Sequence, residues 1–187
     1  MAGSNAAQVG ATIANTALQY KGRPYRWAGA RPSGWDCSGF VNYVLGNRLG
    51  MTLPGGITGF TGATHGPVAA SYVRWKYDYA VSSPMAGDLC IWVGVGPLGH
   101  IGIAVSTNEM ISALDPAKGT AVTPIKGTGP RGAPLVYRRV TLKPGTIAAG
   151  TGTAPQLPAG CAKLVAGAGL AAAGVPVGLW ELLTHLH

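Results

Sequence analysis

Cys37 stands in the run PYRWAGARPSGWDCSGF, residues 24–40, between an aspartate and Ser-Gly and just ahead of an apolar stretch. A cysteine so placed can be a small buried hydrophobe, half of a disulfide, a metal ligand or a nucleophile. Cys37, Cys90 and Cys161 are odd in number and far apart, so they imply no disulfide framework. No C-x-x-C pair or His/Asp cluster accompanies them, and neither a metal nor a cofactor is expected. A nucleophilic cysteine needs a base, usually histidine, within hydrogen-bond reach. His185 and His187 lie at the far end of the chain, and His65 sits in a glycine-rich stretch where it reads as a loop residue. His100 opens the apolar run HIGIAVS, where a polar ring has no packing purpose. It is the candidate base.

The elements around these residues decide whether they can meet. Residues 6–20 read as an amphipathic helix, with Val9, Ile13 and Leu18 at roughly helical spacing. Asp36 is a good N-cap for a second helix over residues 37–50, which ends at Gly50 and buries Phe40, Val41, Val44 and Leu45. Cys37 then opens that helix, where unpaired N–H groups and the helix dipole favour thiolate over thiol. The stretch HIGIAVSTNEMISAL reads as a hairpin turning around Ser106 to Asn108. An odd-numbered loop centred on Ser106 places His100 directly opposite Ser112 and pairs Ile101 with Ile111, which keeps the isoleucines on one face. Ser112 is thereby a candidate for orienting the imidazole. Residues 53–70 read as a loop with one short helical turn. The runs DLCIWVG, HIGIAVS, EMISAL, TAVTPI and LVYRRV suggest a small antiparallel sheet, and helices followed by strands give an α+β fold.

With 187 residues the chain holds one ordinary domain plus an appendage. Charged residues make up 11% and glycine fills 30 positions, which suits a subunit packed into an assembly better than a freely soluble enzyme. The net charge of +8 is scattered along the chain, with no nucleic-acid-binding signature, so nucleic acid is not an expected partner. A polyanionic surface such as a cell wall fits that charge. The opening residues lack the basic start and apolar core of a cleaved secretion signal. Residues 143–160 read as a Gly/Ala/Pro-rich linker leading to an apolar helical appendage over 161–187. Within it, 164–180 is uncharged, with Gly174 and Gly178 as a small-residue pair. It suits a helix docked on a partner or a membrane contact.

PYRWAGARPSGWDCSGF, PMAGDLCIWVG and GHIGIAVSTNEMISAL, in that order, resemble the NlpC family of bacterial and phage cell-wall cysteine peptidases. The resemblance covers roughly residues 6–140 and implies a papain-like domain over 1–142. By that resemblance Cys37 is the nucleophile and His100 the general base. Tyr25 helps shape the oxyanion and substrate site, and Asp36 and Ser38 line the pocket for the stem peptide, in some members reading its free amine. The Cys37 backbone N–H meets the oxyanion. The third catalytic residue in the family, twelve positions after the base, is usually histidine and sometimes asparagine or glutamine. Here it is Ser112, a shorter and weaker orienter, with Asp115 as an alternative. Ala28 takes a place where glycine is usual. The implied reaction is hydrolysis of a stem-peptide amide in peptidoglycan, often beside D-glutamate, through a thioester acyl-enzyme. Composition and missing signal point to a phage virion acting at the host wall, with other tail-tip proteins as partners. The alternatives are a structural tail-tip protein with little turnover and a secreted antibacterial amidase effector.

Overall fold

The computed structural model describes residues 2–94 and 99–141. The linker and appendage expected over 143–160 and 161–187, including the apolar segment 164–180, lie outside the described residues. Helix α1 (Ala2–Leu18) comes first, followed by a two-stranded ribbon of β1 (Ala30–Arg31) and β2 (Gly34–Trp35), then α2 (Cys37–Asn42). A single turn of π-helix (Tyr43–Arg48) continues α2 and ends at Gly50, whose φ of 64° is the left-handed stop that the sequence signals. Two 3₁₀ turns follow, Pro54–Gly56 and Ala69–Arg74. The second was not anticipated from sequence.

Six strands complete the chain: β3 (Asp78–Val81), β4 (Leu89–Trp92), β5 (His100–Ala104), β6 (Glu109–Ala113), β7 (Thr120–Pro124) and β8 (Leu135–Val140). They form one sheet in the order β3-β8-β4-β5-β6-β7, with every pair antiparallel. The α+β expectation therefore stands, and five of the six strands coincide with the runs read from sequence. Strand β3 was missed because DYAV is a half-exposed edge strand held by an ion pair, Asp78 with Arg138, instead of by an apolar run.

Strand alternation sorts the sheet into two faces. Leu89, Ile91, Ile101, Ile103, Ile111 and Ala113 face Val9, Ile13 and Ala17 of α1 and Phe40, Val41, Val44 and Leu45 of the α2 region. Phe40, Val41, Val44 and Leu45 are all fully buried, worth roughly 1.5–3 kcal/mol each. Packing of that size fixes α2, and with it Cys37, against β5. The other face carries a smaller cluster of Cys90, Trp92, Ala104, Met110 and Ile125. Ahead of the helix, Trp35 is fully buried and its indole N–H donates to Thr120 Oγ1 at 2.7 Å, tying the pre-helix ribbon to β7. Gly39 is required for contact: a Cβ there would sit 1.9 Å from the Gly29 carbonyl oxygen. The Ser-Gly after the cysteine is thus a packing demand of α2 on the ribbon.

The β5–β6 hairpin differs from the sequence expectation in register. Ile103 pairs with Ile111 and Ala104 with Met110, so the loop is centred on Thr107 and the pairing has slipped by two residues. The cause is local: Ser106 Oγ accepts from the N–H groups of Asn108 and Glu109, and Val105 N–H donates to the Glu109 carbonyl, closing a three-residue turn one step later. A slip of two preserves the faces, so the buried isoleucines stay buried.

Candidate active site

Asp36 caps α2. Its Oδ1 accepts from Gly39 N–H at 2.9 Å and from Ser38 Oγ–H at 3.1 Å, and its Oδ2 accepts from Ala28 N–H at 3.1 Å. The last of these holds Ala28 at φ 56°, a left-handed conformation that costs an L-residue about 1 kcal/mol and explains why glycine suits this place. Cys37 follows as the first helical residue, half-buried and free of any disulfide. It opens onto a cleft of about 340 Å³ lined by Trp27, Ala28, Asp36, Ser38, His65 and Gly99 among others. Trp27 is 69% exposed at its rim.

The helix start was expected to favour thiolate at Cys37. The structure corrects this: burial, and then the negative charge of Asp36, push the thiol up to about 11. The backbone N–H groups of Ile101, Ser38 and Cys37 oppose the rise and are outweighed. Cys37 is a neutral thiol in the free protein. Cys90, buried on the other face of the sheet, is pushed up to about 12 and has a packing role.

His100 and Ser112 meet as expected, by a different route. Ser112 lies directly in line with Gly102 across the hairpin, diagonal to His100, and its Oγ is 3.0 Å from His100 Nε2. Gly102 leaves that diagonal open: a Cβ at 102 would stand 3.1 Å from the Ser112 Cβ and 2.6 Å from the Met110 sulfur. Ser112 is fully buried, and the Trp92 ring lies 5.6 Å from the imidazole. Burial lowers the His100 pKa to about 4, so the ring is neutral. With Nε2 on Ser112, Nδ1 is the nitrogen left over. No hydrogen bond joins Cys37 to His100 in the free structure; Cys37 meets β5 one residue later, at the Ile101 N–H.

Asp115, the alternative orienter, is not at His100. It is exposed and closes its own turn, accepting from Ala117 N–H, Lys118 N–H and Lys118 Nζ. Tyr25 is half-buried against the main core and bridges to Trp35. Burial, then the nearby Asp36 charge, raise its phenol pKa. Ser38 spends its hydroxyl proton on Asp36.

His65 is the residue that sequence reasoning passed over. Its Nε2 lies 2.9 and 2.8 Å from the two Asp36 oxygens, and Nδ1 lies 3.3 Å from the Gly66 carbonyl oxygen. The loop that carries it is tied down by Asn42, whose Nδ2 donates to the carbonyls of His65 and Pro67 at 2.8 and 2.9 Å. Tyr72 O–H in turn donates to Asn42 Oδ1 at 2.7 Å. The sequence signal was faint: a buried-helix asparagine and a histidine in a glycine-rich loop, with nothing to join them. Asp36 answers with a carboxyl held below its usual range, which burial opposes and the His65 hydrogen bond and Gly39 N–H bring about.

The sequence profile of the NlpC/P60 family matches residues 22–139, which span the cleft, α2 and all but the last residue of the sheet. The chain belongs to the NlpC/P60 family. It is 33% identical over 113 residues to Protein P54 of Enterococcus faecium, covering 60% of this chain and 20% of that protein. It is 32% identical over 108 residues to the bifunctional muramidase/DL-endopeptidase CwlT of Bacillus subtilis, covering 56% and 29%. The chain thus corresponds to a minor part of these relatives' length. Among solved structures, the NlpC/p60 domain of the peptidoglycan hydrolase SagA superposes with a TM-score of 0.51 at 30% identity, over 71% of this chain and 98% of that domain. The peptidoglycan hydrolase RipB of Mycobacterium tuberculosis shares the fold at 22% identity and a TM-score of 0.50 over 74% and 68%. The NlpC/P60 match takes in every residue assigned above to the cleft and to the His100–Ser112 pair.

Proposed function

We propose that this NlpC/P60 chain is a peptidoglycan endopeptidase with Cys37 as nucleophile. The observation that carries the reading is the placement of Cys37 at the first turn of a fixed helix, at the mouth of a cleft, in a family whose named members include endopeptidases. Cys37 Sγ attacks the carbonyl carbon of a stem-peptide amide. Its proton passes to His100 Nδ1, and Ser112 Oγ accepts the Nε2–H and steadies the charged ring. The Cys37 N–H meets the oxyanion, and Tyr25 and Ser38 shape the pocket. The proton on His100 then leaves with the amine, and water hydrolyses the thioester. Because the thiol and imidazole are both neutral, proton transfer belongs to the attack itself.

The test is digestion of purified peptidoglycan with wild type and Cys37→Ala, followed by mass spectrometry of the products. New free amino termini from wild type alone support the reading, and identical digests would sink it. The missing Cys37–His100 hydrogen bond favours one other reading, a structural protein that kept the fold with little turnover. The same digest separates the two. Delivery on a phage tail, among tail-tip proteins, is supported by the low charge and abundant glycine. Peptide mapping of purified virions checks it, and the chain's absence there would end it.

A further inference from the structure

His65 is the feature that the proposed reaction does not use. Asp36 is the carboxylate lining the cleft beside Cys37, and a carboxylate there is the natural partner for a substrate ammonium group. In this chain both of its oxygens are already engaged by His65, besides Gly39 N–H, Ser38 Oγ–H and Ala28 N–H. The contact is built. Asn42 clamps the His65 and Pro67 carbonyls, and a Cβ on Gly66 would press to 2.8 Å on Phe60 and 3.0 Å on Asn42 Nδ2. The charge state follows from the partners. Nε2 lies 2.8 Å from an ionised carboxylate oxygen and Nδ1 3.3 Å from a carbonyl oxygen, two acceptors that together favour the doubly protonated, cationic ring. His65 and Asp36 therefore present the cleft with a neutral, internally satisfied pair.

We propose that His65 is a specificity-determining residue that holds Asp36 on both oxygens, denies it to a free amine, and turns the cleft towards peptides whose amino end is acylated. The inference rests on the endopeptidase reading for its substrate class. A free amine brings a positive charge next to the His65 cation and finds no open oxygen on Asp36. An acylated amine brings neither charge nor a need for the carboxylate. Replacing His65 with glutamine removes the cation and leaves position 65 with only a neutral amide to donate to Asp36, beside the Gly39, Ser38 and Ala28 donors.

The experiment compares two synthetic stem peptides, L-Ala-γ-D-Glu-L-Lys with a free amino terminus and its N-acetyl form. Cleavage is measured as kcat/KM with wild type and His65→Gln, and affinity is measured on Cys37→Ala with and without His65→Gln. We expect wild type to favour the acetylated peptide at least tenfold at pH 7. The glutamine variant should narrow that ratio by gaining on the free amine alone, through KM and Kd. A folding defect would weaken both peptides alike. A ratio that His65→Gln leaves unchanged, a wild-type preference for the free amine, or no difference in Kd between the peptides (including binding of neither) overturns the inference. Preference in affinity without cleavage of either peptide would instead sink the endopeptidase reading and leave this one standing.

Discussion

The two histidines near Cys37 have opposite surroundings. His65 sits at the wet lip of the cleft on a carboxylate, which raises its pKa above the ordinary 6.5. His100 sits against Trp92 and a buried hydroxyl, where burial drives its pKa to about 4. One ring is pushed towards its charged form and held on a carboxylate, and the other is neutral. The contrast teaches that a pair of titratable groups of one type becomes two tools once the environments separate them. In the proposed reaction the dry ring serves as base, while the wet one compensates a carboxylate.

The comparison breaks most sharply at the bases themselves. His100→Ala is expected to lower kcat by about 10²–10⁴, whereas His65→Gln should leave the acetylated peptide within a few-fold of wild type. Equal losses for that peptide would erase the division of labour. Next in size is the pH dependence of stability, read from urea midpoints. His100 has a depressed pKa in the folded state, so its contribution is present above pH 6.5 and is lost as pH falls towards about 4, on the order of 3 kcal/mol. His65 has the reverse sign: its contribution is full below pH 6.5 and fades as pH climbs through its raised folded value. His65→Gln should remove the loss on the alkaline side only. A variant whose acid limb changed instead would reverse the assignment.

A smaller effect sharpens the dry half. Ser112→Ala deprives a buried imidazole of its partner and should slow kcat about tenfold, read as single-turnover acylation. An unchanged rate would hand the orienting role to water, since Asp115 is committed to its own turn. The thiol offers an independent check: iodoacetamide labelling of Cys37 should keep rising with pH towards 11, and a plateau below pH 8 would reveal an ion pair. The smallest change concerns the wet half. Ala28→Gly relieves the left-handed strain behind Asp36 and should add about 0.5–1 kcal/mol, seen as a higher Tm.

Much of this was legible in sequence wherever neighbours along the chain carry the information. Asp36 as cap, Cys37 at the first turn, Gly50 as the stop and the apolar runs of β4 to β6 all follow from local patterns. The His100–Ser112 pairing was readable because parity in a hairpin survives a slip of two residues, although the register was not, since Ser106 hides its turn bonds in an ordinary polar tripeptide. His65 was illegible for a different reason. Its partner Asp36 lies 29 positions away and nothing between them repeats. The charge state of Cys37 was misjudged because the dipole argument counts the helix and not the walls that close over the sulfur. The π-helical turn at Tyr43–Arg48 also left no mark in a sequence that reads as plain helix.

Asp36 shows where this protein is free to change. One carboxylate starts the helix under Cys37, pins the Ala28 turn, holds Ser38 and anchors the His65 loop. Any substitution there disturbs four structures at once, so drift at position 36 is closed. Position 65 touches the same oxygens through one exchangeable ring. Lineages that diverge in the peptides they accept have an open path through His65, and a mutational scan should find tolerance and altered preference there beside an intolerant Asp36.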